Sequence, residues 1–196
     1  MGGLSKSLKA LGVGLGIYTA HGNLTCQRFP GSLGHETQDA ALYKEWGVSF
    51  VKNDWCWHKE DNKTKHLDAF NALRDALIAT GVPMAYSIHW NYADPVGGPG
   101  CAEGVDCPLP LTANMWRVGG DIGPNWGSVL RLVDINTGHS VGASPGAWND
   151  MDMLEVGNGM TAAQDKGHFT MWCIMASPLI AGNDLRKMTP RALSTK

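Results

Sequence analysis

Apolar positions in this chain follow two alternating rhythms: short unbroken runs, and longer stretches spaced by three and four residues. Leu4, Leu8 and Leu11 fall at helical spacing and stop at Gly12, after which Val13 to Tyr18 reads as a short buried strand. A polar loop from Gly22 to Gly34 leads into a helix near Glu36 to Trp46, and Val48 to Val51 makes a second strand running out at Lys52 and Asp54. The next helix sets Leu67, Phe70, Leu73, Leu77 and Ile78 on one face, and Gly81 followed by Pro83 stops it. Met84 to Ile88 is a third strand, and Tyr92 to Leu111 a Gly- and Pro-rich loop. Further strands are predicted at Trp116 to Val118, Ala147 to Asn149 and Pro178 to Ala181. The helices between them are Trp126 to Asn136, closed by Gly138, and one opened by a Thr161-Ala-Ala-Gln164 capping box and running through Met175.

Strand and helix alternating at this spacing predict a parallel sheet with crossover helices, an α/β fold occupying residues 1–196 as one domain. About six strand units are visible, so periodicity leaves a barrel and a doubly wound open sheet both standing. No nucleotide loop sits where an open nucleotide-binding sheet needs one, because Gly12-Val-Gly14-Leu-Gly16 precedes its strand instead of following it. At 196 residues the chain holds one sizeable core but falls short of the roughly 250 residues of an eight-fold barrel.

Composition narrows the partners. Hydrophobic residues are 43%, charged ones 17%, and the net charge is −2, with no basic patch to favour nucleic acid and no apolar run long enough to span a bilayer. A small neutral ligand fits this balance. The run from Met1 to Ala20 is broken by glycines and lacks a cleavage site, so it is not read as a signal peptide. Five of the eight tryptophans, Trp55, Trp57, Trp90, Trp116 and Trp148, lie beside candidate active-site residues, where aromatic faces stack on sugar rings or simply fill core. Sequons at Asn23 and Asn62 point toward a secretory history in which cysteines pair, while Cys173, within an apolar helix, is expected as a buried free thiol.

The chemistry lies where strands end. Lys52 and Asp54 are two apart and point to one side of an extended segment, an ammonium keeping a carboxylate ionised for nucleophilic attack or else a structural ion pair. Arg117 and Asp121 bracket a Gly-Gly bend that could hold an acid over a pocket, desolvated as a proton donor, or leave it in a solvated loop. Asp150 and Asp152 with His89 fit no known metal-ligand spacing, and no metal or cofactor is expected. The remaining histidines, His21, His35, His58, His66, His139 and His168, read as loop or helix-surface residues.

Several strings occur together in order: Leu15-Gly-Ile-Tyr18, Asn23-Leu-Thr-Cys26, Val51-Lys-Asn-Asp54-Trp-Cys56, Trp116-Arg-Val-Gly-Gly-Asp121, Trp148-Asn-Asp-Met-Asp152 and Ser177-Pro-Leu-Ile-Ala-Gly-Asn-Asp184. Over nearly the whole chain they resemble the catalytic domain of glycoside hydrolase family twenty-seven, the melibiase-type α-galactosidases and α-N-acetylgalactosaminidases. The resemblance implies a retaining exo-glycosidase on a (β/α)₈ TIM-type barrel, acting on terminal α-linked galactose through a covalent glycosyl-enzyme. Asp54 then corresponds to the nucleophile and Asp121 to the acid/base. Tyr18, Lys52, His89, Trp90, Arg117 and Asp152 correspond to sugar-subsite positions, and Cys26 and Cys56 to a disulfide between neighbouring loops. A galactose-containing oligosaccharide or glycoconjugate is the implied partner, a homodimer is compatible with the complete protein, and the implied compartment is secreted, lysosomal or vacuolar.

Set against the family pattern, the barrel is expected to be incomplete, with strands three to eight present and the first two strands and the C-terminal β-sandwich absent. Such a chain would expose strand edges and fold poorly alone. His89 stands where relatives read the sugar 2-substituent, which leaves α-N-acetylgalactosaminidase and β-L-arabinopyranosidase specificities open. The cysteine usual near that strand is missing, so Cys101 and Cys107 are expected to close a local loop. A truncated homologue that binds sugar weakly without turnover is the alternative.

Overall fold

The computed structural model describes residues 1–57, 63–90 and 107–188. The Asn62 sequon, His58, Cys101 and most of the loop from Tyr92 to Leu111 lie outside the described residues, although Cys107 is itself disulfide-bonded. In order, the elements are α1 (Gly2–Ala10), β1 (Leu15–Ala20), α2 (Glu36–Trp46), β2 (Val48–Asp54), α3 (Lys63–Ala79), β3 (Ala85–Ile88), α4 (Leu109–Thr112), β4 (Met115–Arg117), α5 (Trp126–Thr137), β5 (Trp148–Asp150) and α6 (Ala162–Ile174). The chain divides into two compact units, Met1–His89 with Leu111–Asn114, and Trp90–Pro110 with Met115–Lys196.

In the first unit β1 pairs with β2 and β2 with β3, both in parallel, so each return runs through a helix as the alternating pattern requires. The register sets Tyr18 beside Lys52 and Ala20 beside Asp54, and this fixes which side chains share the carboxyl end of the sheet. Burial of Val51, Phe70, Leu73, Leu77 and Ile88 supplies much of the unit's cohesion, at about 1.5–3 kcal/mol per large apolar side chain. The inner face of α3 is His66, Ala69, Phe70, Leu73 and Leu77; Ile78, expected there, is 69% exposed because it lies about 100° around the helix from Leu77. The leucine stripe of α1 is likewise turned out, with Leu4 and Leu11 exposed, while Ser5 is buried and donates to the Gly47 carbonyl at 3.1 Å.

In the second unit β4 and β5 pair in parallel, and the Val118 amide continues their ladder to the Asp150 carbonyl at 2.9 Å. Asn125 caps α5 by accepting from the Ser128 amide, and the Thr161–Gln164 capping box predicted for α6 is formed. Val118, Val129, Leu132, Met151, Leu154, Val156 and Trp172 make its core. The strand predicted at Pro178 to Ala181 contracts to one parallel bridge between Leu154 and Ala181, since Pro178 has no amide to give a ladder. Cys173 is free but exposed, because the buried face of α6 is Asp165, His168 and Trp172 and position 173 lies off it.

Candidate active site

Two chemical centres emerge, one in each unit. The first is built on Asp54, the last residue of β2. One carboxylate oxygen accepts from the Tyr18 hydroxyl at 2.8 Å, and the other from the Trp55 amide at 2.8 Å, with His89 Nδ1 at 3.4 Å from it. Lys52, two residues earlier on the same side of the strand, donates to the Ile88 carbonyl at 3.3 Å. Burial is the largest single influence on this carboxyl and opposes its ionisation. The Lys52 charge, the Tyr18 hydroxyl, His89 and the Trp55 amide together outweigh it and hold the group below its usual range. The Asp54 side chain keeps 21% of its surface accessible, so it is both ionised and reachable.

Around it, Cys26 and Cys56 form the expected disulfide, with Cα atoms 5.2 Å apart. The Cys26 sulfur lies 3.8 Å from Asp54 Oδ2 and the Cys56 sulfur 3.7 Å from the Tyr18 hydroxyl, so the crosslink forms part of the wall. The Cys26 loop can come this close only because it is glycine-rich: a Cβ on Gly22 would overlap the Cys56 carbonyl, and one on Gly31 the Gly22 carbonyl. Cys26, Asp54 and Cys56 also stand within metal-ligand reach of one another, but sulfurs bonded to each other offer no thiolates.

Behind Asp54, the Trp55 indole is stacked on His21 at 5.4 Å and meets His66 at 3.6 Å. Both histidines are buried, contrary to their reading as surface residues; the visible signal was the aromatic between two histidine-bearing segments, but only the fold joins them. Trp57 is exposed, with the Arg28 guanidinium 4.6 Å over its ring. Trp90, assigned to the sugar subsite, is only 2% exposed and belongs to the interior here, as does Trp116, whose indole donates to Asn149 at 2.7 Å. Asn23, the first sequon, is exposed.

The second centre follows β4. Arg117 is buried, and its Nη2 donates to Asp152 Oδ2 at 2.8 Å, to the Gly119 carbonyl at 3.1 Å and to Asp121 Oδ1 at 3.3 Å. The bend through Gly119 is packed tightly: a Cβ there would stand 3.0 Å from Leu132 and 3.2 Å from Ile135. Arg131 secures its far side through the carbonyls of Gly120 and Asp121, at 3.3 and 3.1 Å. The Asp121 side chain is 93% exposed, in place of the desolvated setting that a pocket would give it. Asp152 is the reverse, 8% exposed in its side chain and committed to neighbours on both oxygens. Arg117 Nε is buried and has no hydrogen-bond partner among the described residues.

Residues 2–195 match the family described as Alpha galactosidase A. The alpha-galactosidase A of Cellvibrio japonicus is 42% identical over 215 residues, an alignment that takes in 100% of this chain and 48% of that protein. The human alpha-galactosidase A is 36% identical over 195 residues, covering 96% of this chain and 44% of that protein. Among solved structures, an α-galactosidase from Saccharomyces cerevisiae superposes with a TM-score of 0.85 at 29% identity, over 99% of this chain and 46% of that one. The α-galactosidase of the same yeast has also been solved with raffinose. A β-L-arabinopyranosidase from Geobacillus stearothermophilus shares the fold, with a TM-score of 0.68 at 20% identity. The chain spans about half the length of the curated relatives it matches, and the α/β architecture of the barrel type expected from sequence is the one these structures share.

Proposed function

The chain belongs to the Alpha galactosidase A family of glycoside hydrolases, and on that premise we propose that it carries the machinery of a retaining exo-glycosidase for terminal α-linked galactose. The observation that carries this reading is the surroundings of Asp54. A carboxylate held ionised by Lys52, Tyr18, His89 and the Trp55 amide, yet open on one side, suits attack on an anomeric carbon.

In the first step an Asp54 oxygen bonds to the anomeric carbon as the glycosidic C–O bond breaks, and Asp121 gives its proton to the departing oxygen. In the second, Asp121 takes a proton from water as the water oxygen bonds to the same carbon and releases Asp54. The chemistry needs the two carboxyl groups about 5–5.5 Å apart. His89, next to Asp54, supports a sugar carrying a 2-hydroxyl. The raffinose bound to the yeast relative is the kind of galactose-containing oligosaccharide the reading implies. The Cys26–Cys56 disulfide supports an oxidising compartment, secreted, lysosomal or vacuolar. One observation favours sugar binding without turnover, the 93% exposure of the Asp121 side chain.

The test is turnover of an aryl α-galactoside by the chain and by Asp54→Asn, which keeps the shape and removes the nucleophile. We expect at least a thousandfold loss of kcat in the variant. An Asp54→Asn protein of near-parental activity refutes the assignment, and an inactive parent that still binds galactose leaves the binding-only reading.

A further inference from the structure

We infer that Asp152 is a positioning residue for the Asp121 turn and not a ligand of the sugar. This rests on the acid/base role proposed for Asp121, and three observations within the second unit carry it.

The first is the use of its oxygens. Asp152 Oδ2 accepts from Arg117 Nη2 at 2.8 Å and from the Ile122 amide at 2.8 Å, and Oδ1 accepts from the Met153 amide at 2.9 Å. A carboxylate has about four acceptor sites. With three filled and 8% of the side chain exposed, little capacity is left for a sugar hydroxyl.

The second is what those partners are. Arg117 precedes the Gly119-Gly120-Asp121 bend and Ile122 follows it, so a single oxygen ties down both ends of the turn. The same guanidinium Nη2 reaches Gly119 O inside the bend and Asp121 Oδ1 at its tip. Gly120 has nothing within 4 Å of where a Cβ would lie, so the turn borrows its rigidity from these outside contacts and from Arg131. An exposed carboxylate on a two-glycine turn would otherwise sample many positions, and proton transfer depends on holding one.

The third is backbone conformation. Asp152 has φ +78°, a region that side-chain-bearing residues occupy at a cost and glycine occupies freely. Its own amide donates to Asp150 Oδ1 at 2.8 Å, and its carbonyl accepts from the Trp172 indole at 2.7 Å, so the strained peptide is gripped from both sides. A glycine would suit the backbone better, which locates the function of this residue in its carboxylate.

The experiment separates leaving groups. Hydrolysis of a galactosyl disaccharide needs a proton delivered to the departing sugar oxygen, whereas α-galactosyl fluoride releases a leaving group that needs little such help. Asp152→Asn and the backbone-relaxed Asp152→Gly are compared with the parent chain on both substrates, with free galactose as competitive inhibitor. We expect kcat/KM to fall about a hundredfold on the disaccharide and less than about tenfold for formation of the glycosyl-enzyme from the fluoride, with galactose inhibition within about twofold of the parent. Equal losses on both substrates with weakened galactose inhibition would make Asp152 a sugar ligand and overturn the inference. A lowered melting temperature with an unchanged ratio between substrates would make it merely structural and overturn it too. If both Asp152 variants fail to fold, Arg117→Lys, which keeps the charge but loses the planar fork, should show the same leaving-group bias, and its absence counts against the inference. A parent inactive on both substrates would instead refute the galactosidase reading, and the inference with it, an outcome distinct from equal losses in an active parent.

Discussion

Acid is expected to destabilise the second unit through one histidine. His168 on α6 is fully buried, stands edge-on to Trp172 with ring centroids 4.1 Å apart, and accepts the Glu155 amide through Nε2 at 3.0 Å. The accepting nitrogen must be unprotonated, so the ring carries its hydrogen on Nδ1, a buried donor with no partner among the described residues. Burial lowers its pKa from 6.5 to about 4. Above pH 6.5 the ring is neutral in both folded and unfolded chains and stability is independent of it. As pH falls from 6.5 toward 4, the unfolded chain takes up a proton that the folded one refuses, and stability declines at up to about 1.4 kcal/mol per pH unit. Below about 4 both forms are charged and the decline ends. The accumulated loss is about 3 kcal/mol, or roughly 6–12 °C in melting temperature for a chain of this size.

The assay is urea or thermal unfolding of the chain and of His168→Gln at a series of pH values from 7.5 to 4, a window set by the two pKa values in play. Glutamine supplies an acceptor near the position of Nε2 and does not titrate. Glu155 and Asp165 face the same loop, and subtracting the two profiles removes what they contribute equally to both proteins. The difference should grow steadily below pH 6.5. Parallel profiles would refute the burial argument. The point bears on compartment: the loop bonded to His168 leads from Asp152 through Glu155, so a protein working in an acidic vacuole or lysosome would lose support close to the proposed acid/base turn.

Two further outcomes follow from the first centre. Lys52→Gln removes the main influence opposing burial at Asp54, so the acid limb of kcat/KM on an aryl galactoside should move to higher pH; an unmoved limb separates Lys52 from the ionisation of Asp54. Replacing Cys26 and Cys56 by serine opens a loop of sequence separation 30 and should cost about 3–4 kcal/mol in denaturant unfolding, and a midpoint equal to the parent's would show the crosslink to be dispensable.

Much of the fold was legible because its signals are local. The Thr161–Gln164 capping box, the helix ending near Gly81, and the parallel return from β1 to β2 to β3 each depend on residues close in sequence, or on the length of the crossover. The Lys52–Asp54 alignment was equally readable, since alternation along a strand puts positions two apart on one side. Boundaries slipped by one to three residues where the ladder, not the apolar run, decides the end: β2 extends to Asp54 and β5 to Asp150. Pairing of Cys26 with Cys56 was suggested by family resemblance, not by spacing.

What the sequence by itself determined is the order of elements, the parallel crossover scheme and the acids that close the strands, because these follow from the periods of helix and strand and from steric limits at Gly and Pro. Which buried polar groups meet was decided only in three dimensions. His21 and His66 closing on Trp55, His168 receiving an amide thirteen positions away, Trp90 withdrawn from solvent and Cys173 turned toward it all depend on which segments converge. Asp152 shows the reason most clearly. Its sequence position marks an acid at a strand end, a signature shared by sugar ligands and structural anchors alike, and only the geometry reveals that Arg117, Ile122 and Met153 already occupy its oxygens.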